Sequence, residues 1–253
     1  MPLRDTLATP EGKRRYVRAL FATIADRYDF ITVALSYGRD RRWKRRLIEL
    51  AAPAPGARAA DLATGTGDLA FALAARGADV VGLDVTRRMI ELAREKLVVR
   101  RAGLSAPPHR GPERPARHEP QFLVGDMTAL PFAGSSFDIV TTGYGLRNVP
   151  DLQASIDEIL RVLRPGGQVL SLDFDRPSNP LVRAVYLAYL TMVGGALGWI
   201  LHRDPDTYRY IPASICNYSG AEAVARLMEA RGFARVRRYR VLGGLMAIHH
   251  GFK

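Results

Sequence analysis

The chain has 253 residues, 47% of them hydrophobic and 25% charged, which is typical of a globular protein with a full core, in one large domain or two small ones. Its single cysteine, Cys216, excludes an intramolecular disulfide and fits a reducing compartment. The formal net charge of +12 favours an anionic neighbour such as nucleic acid, acidic lipid headgroups or an anionic ligand, although a basic soluble surface explains it equally well.

Two helices are predicted ahead of the first strand. Residues 10–26 follow a helical apolar pattern, with Thr9 as N-cap and Pro10 at the first helical position. A second helix is predicted over residues 41–52, and the Pro- and Gly-rich residues 53–56 then break the chain. Because the first residues contain no apolar signal-peptide core, we expect a cytoplasmic protein.

From residue 57 onwards, strand and helix patterns alternate. Strands are predicted at 57–62, 79–84, 120–124, 137–142 and 167–173, and helices at 68–76, 86–101 and 151–163. This alternation predicts an α/β fold with a doubly wound, mostly parallel sheet that is covered by helices on both faces.

Two segments interrupt the alternation. Residues 103–120 are rich in Pro and Arg and nearly lack large apolar side chains, so we expect a surface loop. Residues 184–201 carry no formal charge over a length that reaches the lower limit for a membrane span. Their glycines and tyrosines favour a buried or interfacial lid helix over a true span.

The chain ends in a predicted helix and hairpin. Ser219 and Glu222 have the spacing of a capping box that opens a helix at 219–231. Strands at 235–242 and 245–250 flank a Gly-Gly pair, which is typical of a hairpin. We therefore divide a single domain, 1–253, into a helical cap (1–56), a cofactor-binding core (57–175), an apolar lid and substrate segment (176–218) and a C-terminal helix with hairpin (219–253).

The most informative stretch is Asp-Leu-Ala-Thr-Gly-Thr-Gly-Asp at 61–68, between a predicted strand and a predicted helix. A glycine turn at this point is the nucleotide cradle of doubly wound folds. The third glycine of the dinucleotide fingerprint is missing, which disfavours NAD and FAD. The carboxylates of Asp61 and Asp68 would repel a diphosphate but would tolerate a ligand with a sulfonium and an amino group.

Two further acids end later strands of the predicted sheet. Asp84 ends the second strand, where a carboxylate can accept both hydroxyls of a ribose. Asp126 ends the third strand and could take an adenine amino group. Ligands of such sheets bind at the carboxyl edge, so three acids at successive strand ends indicate a nucleoside site.

In these residues the chain resembles class I S-adenosylmethionine-dependent methyltransferases and, more closely, the ubiquinone/menaquinone biosynthesis C-methyltransferase family. The matching stretches span nearly the whole chain, at 28–29, 36–38, 43–44, 61–68, 82–84, 129–132, 136–138, 144–149, 161–167, 206–210 and 251–253. The Gly-Leu-Arg-Asn-Val stretch at 145–149 and the closing Gly-Phe-Lys are more specific than the glycine loop.

The resemblance implies the fold, the cofactor and the reaction. It implies a seven-stranded Rossmann-like sheet and methylation of a ring carbon on a polyprenylated hydroquinone, with S-adenosylmethionine as donor. The expected cofactor contacts are Asp61, Ala63, Thr64, Gly65, Thr66, Gly67, Asp84, Val85, Asp126 and Met127. The family's small hydroxyl residue is replaced by Gly143, so that contact is not carried over.

The expected catalytic residues are Arg147 and Asn148, which follow the fourth strand at the same edge of the sheet. A hydroquinone carbon is a poor nucleophile until a ring hydroxyl loses its proton. Because arginine hardly deprotonates, we expect Arg147 to stabilise the phenolate and Asn148 to orient the hydroxyl. The expected acceptor-site residues are Tyr28, Tyr144, Tyr208 and Tyr210. No residue spacing indicates a metal site.

A prenylated acceptor resides in the bilayer, so it implies that the enzyme contacts the membrane. The basic surface and the apolar segment 184–201 suit peripheral contact with anionic lipid at the inner face of the membrane. No nucleic-acid partner is expected, and a homodimer is left open.

The alternative functions are methylation of a sterol, a tocopherol precursor or a phospholipid amine, an RNA methyltransferase, and a catalytically inactive nucleoside-binding module. The choice between benzoquinol and naphthoquinol, and the length of the prenyl tail, also stay open.

Overall fold

The structure is a computed structural model that describes residues 9–36, 38–102, 118–177 and 179–253. Within these residues, the strands of one sheet are β1 (Arg58–Leu62), β2 (Asp79–Asp84), β3 (Gln121–Val124), β4 (Phe137–Gly143), β5 (Leu163–Phe174), β6 (Ala234–Val241) and β7 (Met246–Phe252). Their spatial order is β3-β2-β1-β4-β5-β7-β6. The strands β1 to β5 are parallel, whereas β7 lies antiparallel between β5 and β6. This confirms the predicted sheet and its C-terminal hairpin.

The described helices are α1 (Pro10–Ile24), α2 (Tyr28–Leu35), α3 (Asp40–Ala51), α4 (Asp68–Ala74), α5 (Arg87–Arg101), α6 (Leu152–Val162), α7 (Pro180–His202), α8 (Tyr210–Asn217) and α9 (Ala221–Ala230). Short 3₁₀ turns at Ala25–Arg27 and Leu242–Gly244 join α1 to α2 and β6 to β7. The hydroxyl of Thr9 accepts the N–H of Gly12 at 3.1 Å, so the predicted N-cap opens α1.

Helices cover both faces of the sheet, which explains why the central strands are buried almost throughout. On one face, Leu47, Leu73 and Ile90 from α3, α4 and α5 enter the core. On the other face, Ile159 and Val224 from α6 and α9 do the same. The two apolar layers hold the carboxyl ends of β1 to β5 along one edge.

A helical layer lies over that edge. The helices α1 and α2 pack with the C-terminal half of α7 through Ile24, Ile31 and Leu197. Farther along, α7 packs on α8 through Leu190 and Ile215. The layer therefore combines the N-terminal cap with the predicted lid segment, although 144 residues of sequence lie between the end of α2 at Leu35 and the start of α7 at Pro180.

Three local predictions are corrected. The capping box is wrong, because α9 starts after Gly220 and Asp175 Oδ1, rather than Ser219, accepts the N–H of Ala221 at 2.7 Å. The strand predicted at 167–173 begins at Leu163, since Leu163 pairs with Phe137 before the register shifts. The helix predicted at 10–26 ends as an α-helix at Ile24. The Pro- and Arg-rich loop falls mostly outside the described residues, which omit 103–117.

Candidate active site

The loop at residues 63–67, here called the cradle loop, joins β1 to α4 at the carboxyl edge of the sheet. Ala63, Gly65 and Gly67 have φ angles of 52°, 54° and 89°, in the left-handed region where glycine is least strained. A Cβ at Gly67 would lie 2.9 Å from ring atoms of Phe122 and Phe71, so a larger residue does not fit. The loop is therefore a tight turn that presents backbone to the sheet edge.

Asp61 anchors the cradle loop from behind. Its carboxylate accepts hydrogen bonds from the Thr64 hydroxyl at 2.6 Å, the Thr141 hydroxyl at 2.8 Å and the Ala70 N–H at 3.1 Å. Burial raises the pKa of Asp61 to about 6, and these three donors oppose the rise. Asp61 thus fixes the shape of the loop, and it does not line the cavity that contains Asp84.

Asp84 ends β2 and faces the cradle loop. Its two oxygens accept the N–H groups of Gly65 at 2.9 Å and Thr86 at 2.8 Å. Burial raises the pKa of Asp84, and the two backbone donors oppose the rise. Each carboxylate oxygen has a second lone pair, so Asp84 can still accept hydroxyl groups of a ligand.

Asp126 follows β3 and is tied to the helical layer. Its Oδ1 accepts the Thr128 N–H at 2.8 Å and the Thr128 hydroxyl at 2.7 Å. Its Oδ2 lies 3.3 Å from Nε of Arg14 on α1. Met127, the next residue, is buried. An amino group of a ligand would therefore compete with Arg14 for Asp126.

These residues enclose a cavity of about 90 Å³, here called the small cavity. Of the predicted cofactor contacts, those that line it are Ala63, Gly65, Asp84, Val85, Asp126 and Met127. Gly143, whose contact was not carried over, lines it as well. Helix α1 contributes Arg14 and Val17, so the cap closes this cavity.

The other predicted cofactor contacts lie elsewhere. Thr66 faces an open polar groove of about 840 Å³, here called the outer groove. Its hydroxyl donates to Asp29 Oδ1 at 2.6 Å and accepts from Lys96 Nζ at 2.8 Å. Thr64 is bonded to Asp61, and Gly67 packs against two phenylalanine rings. Sequence alone does not separate the cavity side of a loop from its outer side.

A second, larger cavity of about 560 Å³ lies under the helical layer, and we call it the large cavity. All four predicted acceptor-site tyrosines line it: Tyr28, Tyr144, Tyr208 and Tyr210. Burial raises the pKa of Tyr28, Tyr208 and Tyr210 to about 12, so these phenols are neutral near pH 7. The remaining lining comes mostly from apolar side chains of α1, α2 and α7.

The two cavities meet. Phe21, Tyr28 and Tyr144 line both of them. A group held in the small cavity and a group held in the large cavity can therefore approach each other between these rings. This junction is the position at which a transfer reaction between two ligands can occur.

Arg147 lines the large cavity near the junction. Its backbone N–H donates to Asp173 Oδ2 at 3.0 Å, and its Nε donates to Asp173 Oδ1 at 3.3 Å. Its guanidinium also donates to Ser214 and lies 4.9 Å from the centroid of the Phe174 ring. Burial raises the pKa of Asp173, and the charge of Arg147 opposes the rise. The guanidinium is thus held in one orientation.

Asn148 lines the small cavity and fixes two tyrosines. Its Nδ2 donates to the carbonyl oxygen of Tyr144 at 2.7 Å, and its Oδ1 accepts the Tyr210 hydroxyl at 2.9 Å. Both polar ends of the amide are engaged by protein groups. In this structure Asn148 orients Tyr144 and Tyr210.

Several site residues were not predicted. Asp173 supports Arg147, Phe21 lines the junction, and Asp40 accepts the Tyr144 hydroxyl at 2.6 Å. Asp40 had one usable signal, because it lies between residues 36–38 and residues 43–44, two of the stretches that carry the resemblance. No cluster of three or more His, Cys, Asp or Glu side chains in the described part of the chain could hold a metal ion.

Comparison with known proteins decides the family. The model of the ubiE/COQ5 methyltransferase family matches residues 9–253. The chain belongs to the ubiE/COQ5 methyltransferase family. Membership confirms the predicted enzyme class and, with it, the predicted methyl donor, S-adenosylmethionine.

The curated relatives have related names, and the matches cover nearly the full length of each protein. The demethylmenaquinone methyltransferase of Thermus thermophilus is 40% identical over 235 residues, which cover 92% of this chain and 99% of that protein. The ubiquinone/menaquinone biosynthesis C-methyltransferase UbiE of Ectopseudomonas mendocina is 35% identical over 248 residues, which cover 96% of this chain and 91% of that protein. The family prediction is confirmed over nearly the whole chain.

Solved structures agree in fold. An S-adenosylmethionine (SAM)-dependent methyltransferase from Thermotoga maritima, described as a possible histamine N-methyltransferase, has a TM-score of 0.60 at 17% identity, and the match covers 94% of this chain and 99% of that one. A SAM-dependent methyltransferase from Aquifex aeolicus has a TM-score of 0.54 at 15% identity and covers 83% and 88%. At these identities the likeness concerns the sheet and its helices.

Proposed function

We propose that this methyltransferase transfers a methyl group from S-adenosylmethionine to a ring carbon of a polyprenylated hydroquinone. The reaction converts demethylmenaquinol to menaquinol, performs the corresponding step on a methoxy-polyprenyl-benzoquinol in ubiquinone biosynthesis, or both. The names of the relatives support this class of acceptor. The single observation that carries the proposal is the junction, where an apolar cavity meets a cavity with carboxylates suited to a nucleoside.

The residues of the small cavity suit the methyl donor. When bound, S-adenosylmethionine supplies a methyl group on a cationic sulfonium. Asp84 has lone pairs free for ribose hydroxyls, and Asp126 can accept an amino group once Arg14 withdraws. A space of about 90 Å³ is well below the roughly 300–1,000 Å³ of ordinary ligand sites. We therefore infer that α1, which carries Arg14, moves outward when the donor binds.

The large cavity suits the acceptor. Its volume of about 560 Å³ falls within the range of ligand sites, and its walls are mostly aliphatic and aromatic. Leu181, Val182 and Val185 on α7 line it and are also exposed at the surface, so the cavity opens beside them. A quinol ring can lie at the junction while its prenyl tail leaves past α7.

Arg147 is suited to stabilise the activated acceptor. Its guanidinium shares the large cavity with the four tyrosines, and Asp173 and Ser214 hold it in place. A fixed cation in an apolar cavity interacts strongly with a phenolate oxygen, because little water screens the charge. Asn148 acts through Tyr144 and Tyr210, which it orients.

The opening beside α7 supports peripheral contact with the inner face of the membrane. In the described residues, α7 is the one helix long and apolar enough to cross a membrane by length and composition, with a mean hydropathy of 1.7. Leu181, Val185 and Met192 share one face of α7 and are 72%, 63% and 74% exposed. Tyr186 and Leu190 are buried on the opposite face. A helix with one buried face and one exposed apolar face suits a place in the membrane surface better than a span.

A groove lined by basic residues adjoins the large cavity. A groove of about 490 Å³, here called the basic groove, contains the exposed side chains of Arg39, Arg42, Arg45, Arg46 and Arg240. Trp43 and Leu242 line both this groove and the large cavity. Anionic headgroups beside the emerging prenyl tail would therefore meet positive charge.

The test is an acceptor panel. Purified protein and labelled S-adenosylmethionine are incubated with a prenylated naphthoquinol, a prenylated methoxybenzoquinol, a sterol, a tocopherol precursor, a phospholipid amine and RNA. We expect label in one or both quinols and in none of the other acceptors. Label in a different acceptor, with none in either quinol, would overturn the proposal.

A further inference from the structure

The Tyr144 hydroxyl lies in the wall between the junction and the outer groove. The Tyr144 ring lines both cavities, and its hydroxyl donates to Asp40 Oδ1 at 2.6 Å. The residue has a φ of 60°, and its N–H donates to the carbonyl oxygen of Leu172 at 2.7 Å. A non-glycine residue held at positive φ indicates that the surrounding structure determines its position. The phenol thus points from the junction toward α3.

The Asp40 carboxylate lies on the far side of this wall. Asp40 is in the first turn of α3, is buried, and lines the outer groove. Its Oδ2 lies 2.7 Å from Lys44 Nζ, which in turn lies 2.9 Å from Asp68 Oδ2. The side chain of Asp68 is 43% exposed. A continuous series of polar contacts therefore leads from Tyr144 to solvent.

The large cavity lacks a base of its own. Among the described residues that line it, none is Asp, Glu or His, and its charged member is Arg147. Replacement of a ring hydrogen by a methyl group from a sulfonium releases one proton per turnover. That proton needs an acceptor, and a hydroxyl group in the wall can pass it to an acceptor behind the wall.

We propose that Tyr144 and Asp40 form the route by which the hydroxyl proton of the bound quinol leaves the large cavity during methyl transfer. The inference rests on the proposed function and identifies how the acceptor is activated there. Tyr144 touches the substrate, and Asp40 acts through Tyr144.

The step conserves atoms and charge. The O–H bond of the substrate breaks and its proton binds Tyr144 Oη, while the original hydroxyl proton of Tyr144 moves to Asp40 Oδ1. The negative charge passes from Asp40 to the substrate oxygen, which shares its cavity with Arg147. When the methylated ring carbon loses its hydrogen, that proton restores the substrate hydroxyl. One proton remains on Asp40, and the outer groove returns it to solvent.

Tyr144 acts in this step as a bridge that stays neutral. Burial, and then the charge of Asp40, raise the pKa of Tyr144 well above its ordinary value. A stored tyrosinate is therefore disfavoured, and the phenol gives up one proton as it gains another.

Charged and titratable groups face the pair from every neighbouring element. Lys44 on α3 contacts Asp40, and Asp68 on α4 contacts Lys44. Burial opposes protonation of Lys44, yet the carboxylates of Asp68 and Asp40 raise its pKa, so it stays charged. Tyr28 on α2 and Asp173 on β5 also raise the pKa of Tyr144. Lys44 thus places a positive charge directly beside the Asp40 carboxylate.

A similar pair elsewhere in the wall offers a matched control. The Tyr208 hydroxyl lies 2.9 Å from His202 Nε2, and Tyr208 lines the large cavity without lining the small one. A proton taken up there would be remote from the junction. Replacement of His202, which lines neither cavity, should therefore leave the reacting hydroxyl unaffected.

The kinetic experiment compares Asp40→Asn, Asp40→Glu and Tyr144→Phe with His202→Gln. Asn keeps an oxygen for the Tyr144 hydroxyl but cannot take its proton. We expect kcat to fall about 100-fold in Asp40→Asn and Tyr144→Phe, at the low end of general-base effects. We also expect the acidic limb of the pH profile of kcat to disappear, KM to change by about twofold or less, and Asp40→Glu to recover activity. A purely structural role would lower kcat at every pH and leave the limb in place.

The second readout needs no methyl donor. A prenylated 1-naphthol is bound to the protein and excited, because an excited naphthol is a strong acid that transfers its proton only if an acceptor is in contact. We expect naphtholate emission from wild type, Asp40→Glu and His202→Gln, and neutral naphthol emission from Asp40→Asn and Tyr144→Phe. Equal naphtholate emission from wild type and Asp40→Asn would overturn the inference, as would loss of emission in His202→Gln alone.

The two proposals fail in different ways. If wild type methylates neither quinol but shows emission that depends on Asp40, the proposed function fails and the proton route stands. If wild type methylates a quinol while Asp40→Asn keeps its kcat, pH profile and emission, the proton route fails and the proposed function stands.

Discussion

At the scale of single residues, the acids near the cradle loop differ in role according to the direction of their side chains. Asp84 faces the small cavity, whereas Asp61 faces the protein interior and holds the loop. Sequence placed both correctly at strand ends, because acids interrupt apolar runs. It could not assign their directions, since these depend on the pleat and on partners such as Thr141, which lies 80 residues away.

The raised pKa of Asp61 gives a prediction about stability. The value of about 6 in the folded protein exceeds the roughly 3.9 of an unfolded chain. The folded state therefore holds this proton more tightly, and the stability that Asp61 contributes is present below about pH 4 and lost as pH rises through about 6. Asp61→Asn removes this dependence. We expect the difference between the two unfolding free energies, Asp61→Asn minus wild type, to rise by on the order of 3 kcal/mol between pH 4 and pH 7.

Denaturant titrations of both proteins at several pH values measure this difference. Asp84 and Asp173 are present in both proteins, so their contribution to the pH dependence of unfolding cancels in the difference. Parallel curves for wild type and Asp61→Asn would show that Asp61 does not titrate as its buried position requires.

Arg147 gives a prediction about catalysis. Arg147→Ala would leave the Asp173 carboxylate buried and unpaired, which costs about 3–5 kcal/mol of stability. Arg147→Lys keeps a positive charge beside Asp173 but loses the planar fork that contacts Asp173 and Ser214. We therefore expect Arg147→Lys to fold and its kcat to fall about 100-fold or more, the usual cost of a lost electrostatic contact to the transition state.

Steady-state kinetics and calorimetric titration with S-adenosylmethionine check this expectation. Donor affinity should stay within about twofold of wild type, because Arg147 lines the large cavity and not the small one. A wild-type kcat in a folded Arg147→Lys variant would show that Arg147 takes no part in the reaction.

At the scale of elements, the strongly patterned segments were predictable, as was the short helix α4 beside the glycine turn, whereas α2 and α8 were not. The sheet strands and α5 have clear periodicity, but α2 and α8 have 8 residues each and form against neighbours distant in sequence. Isolated helices of that length are marginal without packing. The pairing of Tyr144 with Asp40, 104 residues apart, likewise exists only once α3 has packed on the sheet.

Helix α7 gives a prediction about membranes. Leu181→Ser, Val185→Ser and Met192→Ser together remove three large apolar groups from its exposed face. Burial of such side chains is worth about 1.5–3 kcal/mol each, so we expect binding to anionic liposomes to weaken about tenfold or more. Wild-type binding should also weaken as salt is raised, since the basic groove contributes charge.

Co-sedimentation with liposomes measures both effects. Val98→Ser is the matched control, because Val98 is 62% exposed on α5 and lines neither cavity. An equal loss of liposome binding in the control and the triple variant would show that α7 does not contact the membrane. Extraction that requires detergent at any salt concentration would indicate that α7 spans the membrane.

At the scale of the whole molecule, the two cavities exist because different parts of the chain close over one edge of the sheet. The core supplies the cradle loop, while α1, α2 and α7 supply the roof. The glycine loop and strand-end acids predicted the first part, since their spacing is local. The apolar patterns at 10–26 and 184–201 predicted two helices of the roof, but they did not predict the cavity beneath it, because that cavity arises from tertiary packing of helices whose own patterns do not specify a partner.

The central claim, methylation of a ring carbon, is tested most directly by the position of the transferred methyl group. The protein is incubated with S-adenosylmethionine labelled with ¹³C in its methyl group and with a prenylated quinol, and the product is examined by NMR. We expect one labelled methyl resonance at an aryl carbon shift, with coupling to the ring carbon that lost its hydrogen. A labelled methyl group on a quinol oxygen, or no labelled quinol at all, would contradict the account.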